Sequence, residues 1–499
     1  MVAATLACYS IHMKFQLLFF LLFLSAFAPN LAFSVEEPAP YGVLPSERQL
    51  AWHNLEMYAF IHFTVNTFTD KEWGYGNEPE SVFNPSEFDA DQIVKTVKRA
   101  GLKGLILTAK HHDGFCLWPS KYSDHTIAHS PYKNGKGDIV KEISDASHRE
   151  GILFGIYLSP WDRNHSQYGT PKYLDYYRNQ LRELLTNYGS IFEIWFDGAN
   201  GGDGWYGSAD EMRKIDNKTY YDWDNTWSIV RELQPQAVIF SDGGPDARWC
   251  GNEKGYVKDP CWETINAAGN LPGNADPEHL QEGDAKGTHW MPAEVDVSIR
   301  PGWFYHRSED NQVKSPEELY KIYFQSVGRG ANLILNLAPD QRGIIPEKDV
   351  QHLIEWRTIL KNTFDHNIAT EAKVTASDTR GGDNAYGVGN LADNDGSTYW
   401  GTDDGVTTAD LIFDFDDPQM INVISLSEYI ALGQRIRKVF VDAWDESTLT
   451  WKKITQVESI GAKRLIQLED MNTKRLRIRI IESDACPLLS EVGFYYGEL

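Results

Sequence analysis

Positive charge is what this chain has least of. Its 47 lysines and arginines stand against 71 aspartates and glutamates, a formal net charge of −24 over 499 residues. That balance excludes a nucleic-acid surface, which needs a basic face, and argues against an anionic membrane surface. After residue 34 no apolar run approaches the roughly 20 residues of a spanning helix, so no membrane partner is expected. Whole chemistries are missing too. There is no His-Glu-x-x-His, no Gly-x-Ser-x-Gly elbow and no Gly-rich loop closed by Lys-Ser/Thr, which removes zincin, serine-hydrolase and phosphate-loop readings. Cysteine is scarce at five, and neither an internal repeat nor a low-complexity tract is present.

What is there begins with Ile191-Phe192-Glu193-Ile194-Trp195-Phe196-Asp197-Gly198, a strand-like run ending in a carboxylate. Other runs end alike. Tyr58 to Phe63 carries His62 near its end, and Gly104 to Lys110 leads into His111-His112-Asp113-Gly114. Ile152 to Ser159 ends in Tyr157 and Ser159, and Ala237 to Phe240 ends in Ser241 and Asp242. Helical spacing fills the gaps at Ala90–Ala100, Gly137–Glu150, Pro171–Tyr188 and Tyr221–Leu233. Alternating strands and helices predict a parallel sheet. Polar and aromatic residues at successive strand C-termini predict a (β/α)8-type barrel with one pocket.

The His-His-Asp cluster invites a metal, but neighbouring residues on an extended strand face opposite ways, so both imidazoles share a site only if a bulge ends the strand. The remaining pattern is two-carboxylate chemistry among aromatics. With 16 Trp and 24 Tyr, it suits sugars, whose C–H faces stack on flat rings while His, Asp and Glu hold hydroxyls. No cofactor is called for.

Thr108-Ala109-Lys110-His111-His112-Asp113-Gly114-Phe115, with His62-Phe63, Glu72-Trp73, Tyr157-Leu158-Ser159-Pro160-Trp161, Trp195-Phe196-Asp197-Gly198 and Gly330 to Asn336, resembles glycoside hydrolase family 29, the α-L-fucosidases, over residues 41–367. The resemblance implies a retaining mechanism on fucosylated glycans with Asp197 as nucleophile. It implies fucose contacts from His62, Trp73, His111, His112, Tyr157 and Trp195, with Trp303 as a wall for the C6 methyl. The acid/base is expected at Glu253, in Arg248-Trp249-Cys250-Gly251-Asn252-Glu253-Lys254-Gly255. Glu72, Glu263, Glu282 and Glu294 compete with it. That run resembles the branch preferring α-1,3/1,4 linkages, for which Asp246 and Glu294 are expected to supply contacts beyond the fucose. The alternative is a catalytically silent, lectin-like fucose binder on the same fold.

Met13-Lys14-Phe15-Gln16, Leu17 to Leu24 and Ala32-Phe33-Ser34 have the form of a secretory leader over residues 1–34, predicting a secreted protein of the extracellular space or apoplast. Asn164 and Asn217 then become glycosylation acceptors. With Cys8 lost, Cys116, Cys250, Cys261 and Cys486 allow three connectivities. A Cys250–Cys261 bridge would brace Glu253, and Cys116 reads as a buried thiol. Beyond residue 367 short alternating strands predict an antiparallel β-sandwich over 368–499. Ala392 to Trp400 and Glu491 to Gly497 resemble a discoidin-like (galactose-binding-like) module. There Asp393, Asp395 and Glu491 are candidate ligands for a structural Ca²⁺, and the module is expected to brace the barrel.

Overall fold

The computed structural model describes residues 35–497, so the expected leader and Cys8 lie outside the described residues. The chain from Pro38 onward forms one compact unit. Its first part is a closed barrel of parallel strands: β1 (Met57–Ile61), β2 (Gly104–Lys110), β3 (Leu153–Leu158), β4 (Glu193–Trp195), β5 (Val238–Ser241), β6 (Ala247–Trp249), β7 (Ala293–Ser298) and β8 (Asn332–Leu337). Strands adjacent in sequence are adjacent in space, and β8 pairs with β1 to close the ring.

Residues alternate as a barrel demands. Ala59, Ile61, Ile194, Phe196, Val295 and Val297 pack outward against the helices. Tyr58, Phe60, Tyr157, Trp195 and Phe240 fill the interior. The helices cover the outside with apolar stripes. Asp89 caps α1 (Ala90–Arg99) through the Gln92 N–H at 3.0 Å, and Ile93, Val94 and Val97 face the core. Asp138 likewise caps α2 (Ile139–Glu150). Next come α3 (Pro171–Asn187), with Pro at its start as helix entry favours, and α4 (Trp223–Leu233).

The repeat breaks at one place. No helix joins β5 to β6, only the turn from Asp242 to Asp246. Asp246 replaces the crossover: its carboxylate accepts the Ile239 N–H at 2.8 Å and pairs with Arg231 at 2.5 Å and Arg48 at 3.2 Å. Buried by these partners, it braces the starts of two strands. α5 (Pro277–Glu282), α6 (Pro316–Gln325) and α7 (Glu347–Phe364) complete the barrel. No helix among the described residues is long and apolar enough to cross a membrane.

The second part is an antiparallel sheet built on two long strands, Ala409–Glu428 and Arg464–Ser483. Register shifts after Asp414 and Ile421 bend them, folding the sheet around its own core of Leu411, Phe413, Ile424, Leu476 and Phe494. The Asp393 and Asp395 carboxylates are taken up by their own loop: Asp393 accepts from Asp395 N–H and the Thr398 hydroxyl, Asp395 from Ser397. Among the described residues no group of three or more His, Cys, Asp or Glu is arranged to hold a metal ion. The Glu491 carboxyl faces this loop, accepting from the Asn394 and Asp395 N–H groups, and burial and the Asp393 charge push it up to about 7.

The two parts meet around Glu263. Its carboxylate accepts the Ala462 N–H at 3.1 Å, and its own N–H donates to Gln434 at 3.1 Å. Burial pushes this carboxyl up to about 7, while nearby His53, driven by burial to about 3, stays neutral. A carboxyl raised in the folded state contributes fully below its unfolded pKa of 4.5 and loses that contribution as pH rises through about 7. Glu263→Gln should therefore flatten the loss of thermal stability between about pH 5 and pH 8, by on the order of 1–3 kcal/mol. Melting curves across that range check it, and an unchanged slope would contradict it.

Candidate active site

The C-terminal ends of β1 to β4 converge on one pocket. β2 carries a bulge: Thr108 pairs with Tyr157 and Lys110 with Leu158, leaving Ala109 extra. The irregularity lets His111 and His112 share the pocket with ring centroids 4.1 Å apart. Lys110 turns the other way, fully buried against Asp162 and Gln180 at 3.0 Å each. Gly114 follows with φ +80°, and a Cβ there would lie 2.5 Å from Asp162 Oδ1, so the turn after His-His-Asp requires glycine.

Hydrogen bonding fixes the imidazoles. Asn336 Nδ2 donates to Ser298 Oγ at 2.9 Å and to the Trp303 carbonyl at 2.8 Å. Its Oδ1 thus accepts from His62 Nδ1 at 2.8 Å, leaving His62 Nε2 as an acceptor. Ser159 donates to the Trp161 carbonyl, so His112 Nδ1 donates to Ser159 at 2.7 Å and its Nε2 is also an acceptor. Asn66 Nδ2 approaches His111 Nδ1 at 3.5 Å, which makes His111 Nε2 the donor. Burial drives His62 and His112 down to about 3, and His111 well below its ordinary value. Three neutral rings offering both donor and acceptor faces suit a polyol.

Asp197, just past β4, accepts from Tyr157 Oη at 2.9 Å and from Ala199 N–H at 2.6 Å. Burial raises its carboxyl, and these two bonds oppose the rise. His112 Nε2 stands 3.8 Å from Asp197 Oδ2. Two acceptors at that spacing leave a slot for a donor between them. Glu253 lies at the exposed tip of the loop after β6 and accepts from Trp303 Nε1 at 3.2 Å. Desolvation raises it, joined by the charges of Asp197 and Glu72. Trp303 lies 5.2 Å from the His62 ring, so it bridges His62 and Glu253. Trp195 is the floor: its indole N–H points down to Glu294 at 2.7 Å, and its ring stacks on Tyr157 at 5.5 Å. Trp73 stands at the mouth, 53% exposed and edge-on to His112.

The competing glutamates do other work. Glu72 accepts from Trp303 and Phe304 N–H and contacts His306. Glu282 faces Lys258 and Glu263 the sandwich. Glu294 is fully buried under Trp195 and Tyr58, which removes it, like Asp246, from any contact beyond the pocket. The cysteine pairing is also corrected. Cys116, Cys250, Cys261 and Cys486 are all free and buried. The Cys250 thiol is engaged by the Asn252 carbonyl at 2.8 Å and Cys261 by Arg248 at 3.6 Å. Asn336 and Asn66 were not anticipated as site residues. Asn336 is a polar side chain near the end of β8, and Asn66 sits in the short helix Val65–Thr69 after β1.

An open barrel end lined by carboxylates, neutral imidazoles and aromatic rings defines a carbohydrate-processing hydrolase. The chain belongs to the α-L-fucosidase family, whose family model matches residues 39–362, and an F5/8 type C domain matches residues 373–492. Alpha-L-fucosidase 1 of Arabidopsis thaliana is 39% identical over 96% of this chain and 93% of its own. A glycoside hydrolase 29 family member from an unknown rumen bacterium superposes with TM-score 0.83, at 40% identity over 93% of this chain and 78% of that one. A Ruminococcus gnavus GH29 fucosidase solved in complex with fucose gives TM-score 0.83 and 33% identity over 94% and 98%.

Asn336 is the residue to test here, since it ties both His62 and the Trp303 loop. Asn336→Ala should lower kcat/KM on an aryl α-L-fucoside by roughly 10–100-fold, because sub-ångström misplacement is that costly. Circular dichroism should remain native. Activity within twofold of the parent would contradict the network.

Proposed function

We propose that this fucosidase removes terminal α-1,3- or α-1,4-linked L-fucose by a two-step retaining displacement outside the cell. The observation carrying the proposal is that Asp197 and Glu253 flank one pocket onto which three neutral imidazoles also face. In the first step an Asp197 oxygen bonds to the anomeric carbon as the glycosidic C–O bond breaks, and Glu253 gives its proton to the leaving oxygen. In the second, Glu253 takes a proton from water, the water oxygen attacks the same carbon, and the Asp197 carboxylate leaves. Retention asks for carboxyls about 5–5.5 Å apart. Desolvation shifts Glu253 toward the protonated form that the first step needs. The Tyr157 hydroxyl and Ala199 N–H favour the ionised form of Asp197 and oppose the rise that burial imposes. A silent fucose binder would have no use for that pairing of one acid and one base. Extracellular action rests on the leader-like segment over 1–34. Glycosylation at Asn164 or Asn217 would require each amide to leave a carbonyl, Gly76 or Gly273.

Glu253→Ala should slow substrates with poor leaving groups at least about 100-fold more than those with good ones, because only the former need protonation. Steady-state rates on a series of aryl fucosides check this, and equal losses across the series would reassign the acid. The linkage preference is read from oligosaccharides. An α-1,3/1,4-fucosylated trisaccharide should exceed an α-1,2-fucosylated chain in kcat/KM by roughly tenfold or more. Comparable values would leave a fucosidase indifferent to linkage.

A further inference from the structure

Strand order leaves one pocket-facing acid without a role. Asp197 follows β4 and Glu253 follows β6. Between them lies β5, and the residue after it is Asp242. Its Oδ2 accepts the Gly273 N–H at 2.9 Å. It presses so closely on Gly198 that a Cβ there would lie 2.0 Å from Asp242 Oδ2. Asn200 donates to the Gly198 carbonyl at 2.6 Å, and Asn217 donates to the Gly273 carbonyl at 2.5 Å. A polar lip, partly open to solvent, therefore runs between the two reacting carboxyls.

The groups that would hold fucose come from the opposite arc: His62 after β1, His111 and His112 after β2, and Tyr157 on β3. A sugar seated there with its anomeric carbon at Asp197 must send its leaving group toward Glu253, across the end of β5. We propose that Asp242 binds a hydroxyl of the leaving-group sugar and so is a specificity-determining residue for the aglycone. The proposal rests on Asp197 and Glu253 acting as described above.

Burial, with the charge of Asp197 added, pushes the Asp242 carboxyl up to about 7. In mildly acidic solution it is protonated and offers both a donor and an acceptor, the pair a sugar hydroxyl uses. Its neutrality also spares Asp197 a second negative charge. An aryl aglycone presents no hydroxyl to this lip, whereas an oligosaccharide does.

The test uses the full chain as Asp242→Ala and Asp242→Asn, assayed on 4-nitrophenyl α-L-fucoside and on an α-1,3/1,4-fucosylated trisaccharide. The ratio of kcat/KM, oligosaccharide over aryl fucoside, should fall about tenfold or more in the alanine variant, in line with the loss of a substrate hydroxyl's partner. It should fall less in the asparagine variant, which keeps an acceptor and fits the same space should alanine fail to fold. A ratio unchanged in both variants would overturn the proposal. So would collapse of aryl-fucoside turnover with azide rescue to a fucosyl azide of retained configuration, which would make Asp242 the acid/base. Glu253→Ala run alongside separates the two claims. Failure of its leaving-group dependence would sink the acid/base reading, while the Asp242 ratio stays readable by itself.

Discussion

The pocket depends on the pleat of β4. That strand is short, and its alternation sends Glu193, Trp195 and Asp197 to the same side at successive depths. At the bottom Glu193 accepts from Trp52 at 2.9 Å, and Glu294 across the interior accepts from Tyr58 and Trp195. Burial pushes both carboxyls up, Glu193 further by the charge of Glu294, while hydrogen bonds from Glu193, Tyr58 and Trp195 oppose the rise at Glu294. One level higher, Trp195 lies between Phe240 at 4.2 Å and Tyr157 at 5.5 Å. At the top, Tyr157 donates to Asp197. The depth of each group is set by the strand, and its chemistry by what lies beneath it.

Around that axis the loops are tied by buried cations. Arg163 donates to the Gly74 carbonyl at 2.7 Å and pairs with Asp203 at 2.9 Å, strapping the Trp73 segment to the loop after β4. Lys110 and Asp162 do the same behind the two histidines. A buried pair of this kind contributes little net stability but is costly to break on one side. Its use here is to fix the mouth of a pocket whose own rings are uncharged. The chain is strongly acidic overall, yet burial pushes the three pocket histidines toward the neutral form, so charge inside the pocket is left to its carboxyls.

Much of this was legible in the sequence because parallel strands in a barrel end where the chemistry is. Asp197, His62 and Tyr157 stood at the ends of apolar runs, and the bulge that His111 and His112 required is present in β2. Other features depend on depth and direction, which periodicity does not encode. Glu294 read as a contact beyond the fucose but lies buried inside the barrel. Asp246 read as a sugar contact but substitutes for a missing crossover helix. Asn336 fixes two pocket elements at once through contacts remote in sequence. The spacing of Cys250 and Cys261 suggested a bridge, yet each thiol has its own polar neighbour. In the Asp393–Asp395 loop, whose composition suits cation binding, both aspartates also accept hydrogen bonds that shape the turn.

The central claim is that Asp197 forms a bond to the sugar. The direct measurement is mass spectrometry of the enzyme after incubation with 2-deoxy-2-fluoro-L-fucosyl fluoride, whose slowed second step lets the covalent intermediate accumulate. The account predicts one added 2-fluorofucosyl group, carried on the peptide at Asp197. A label on a different carboxylate, or substrate turnover under conditions where no labelled protein accumulates, would contradict it.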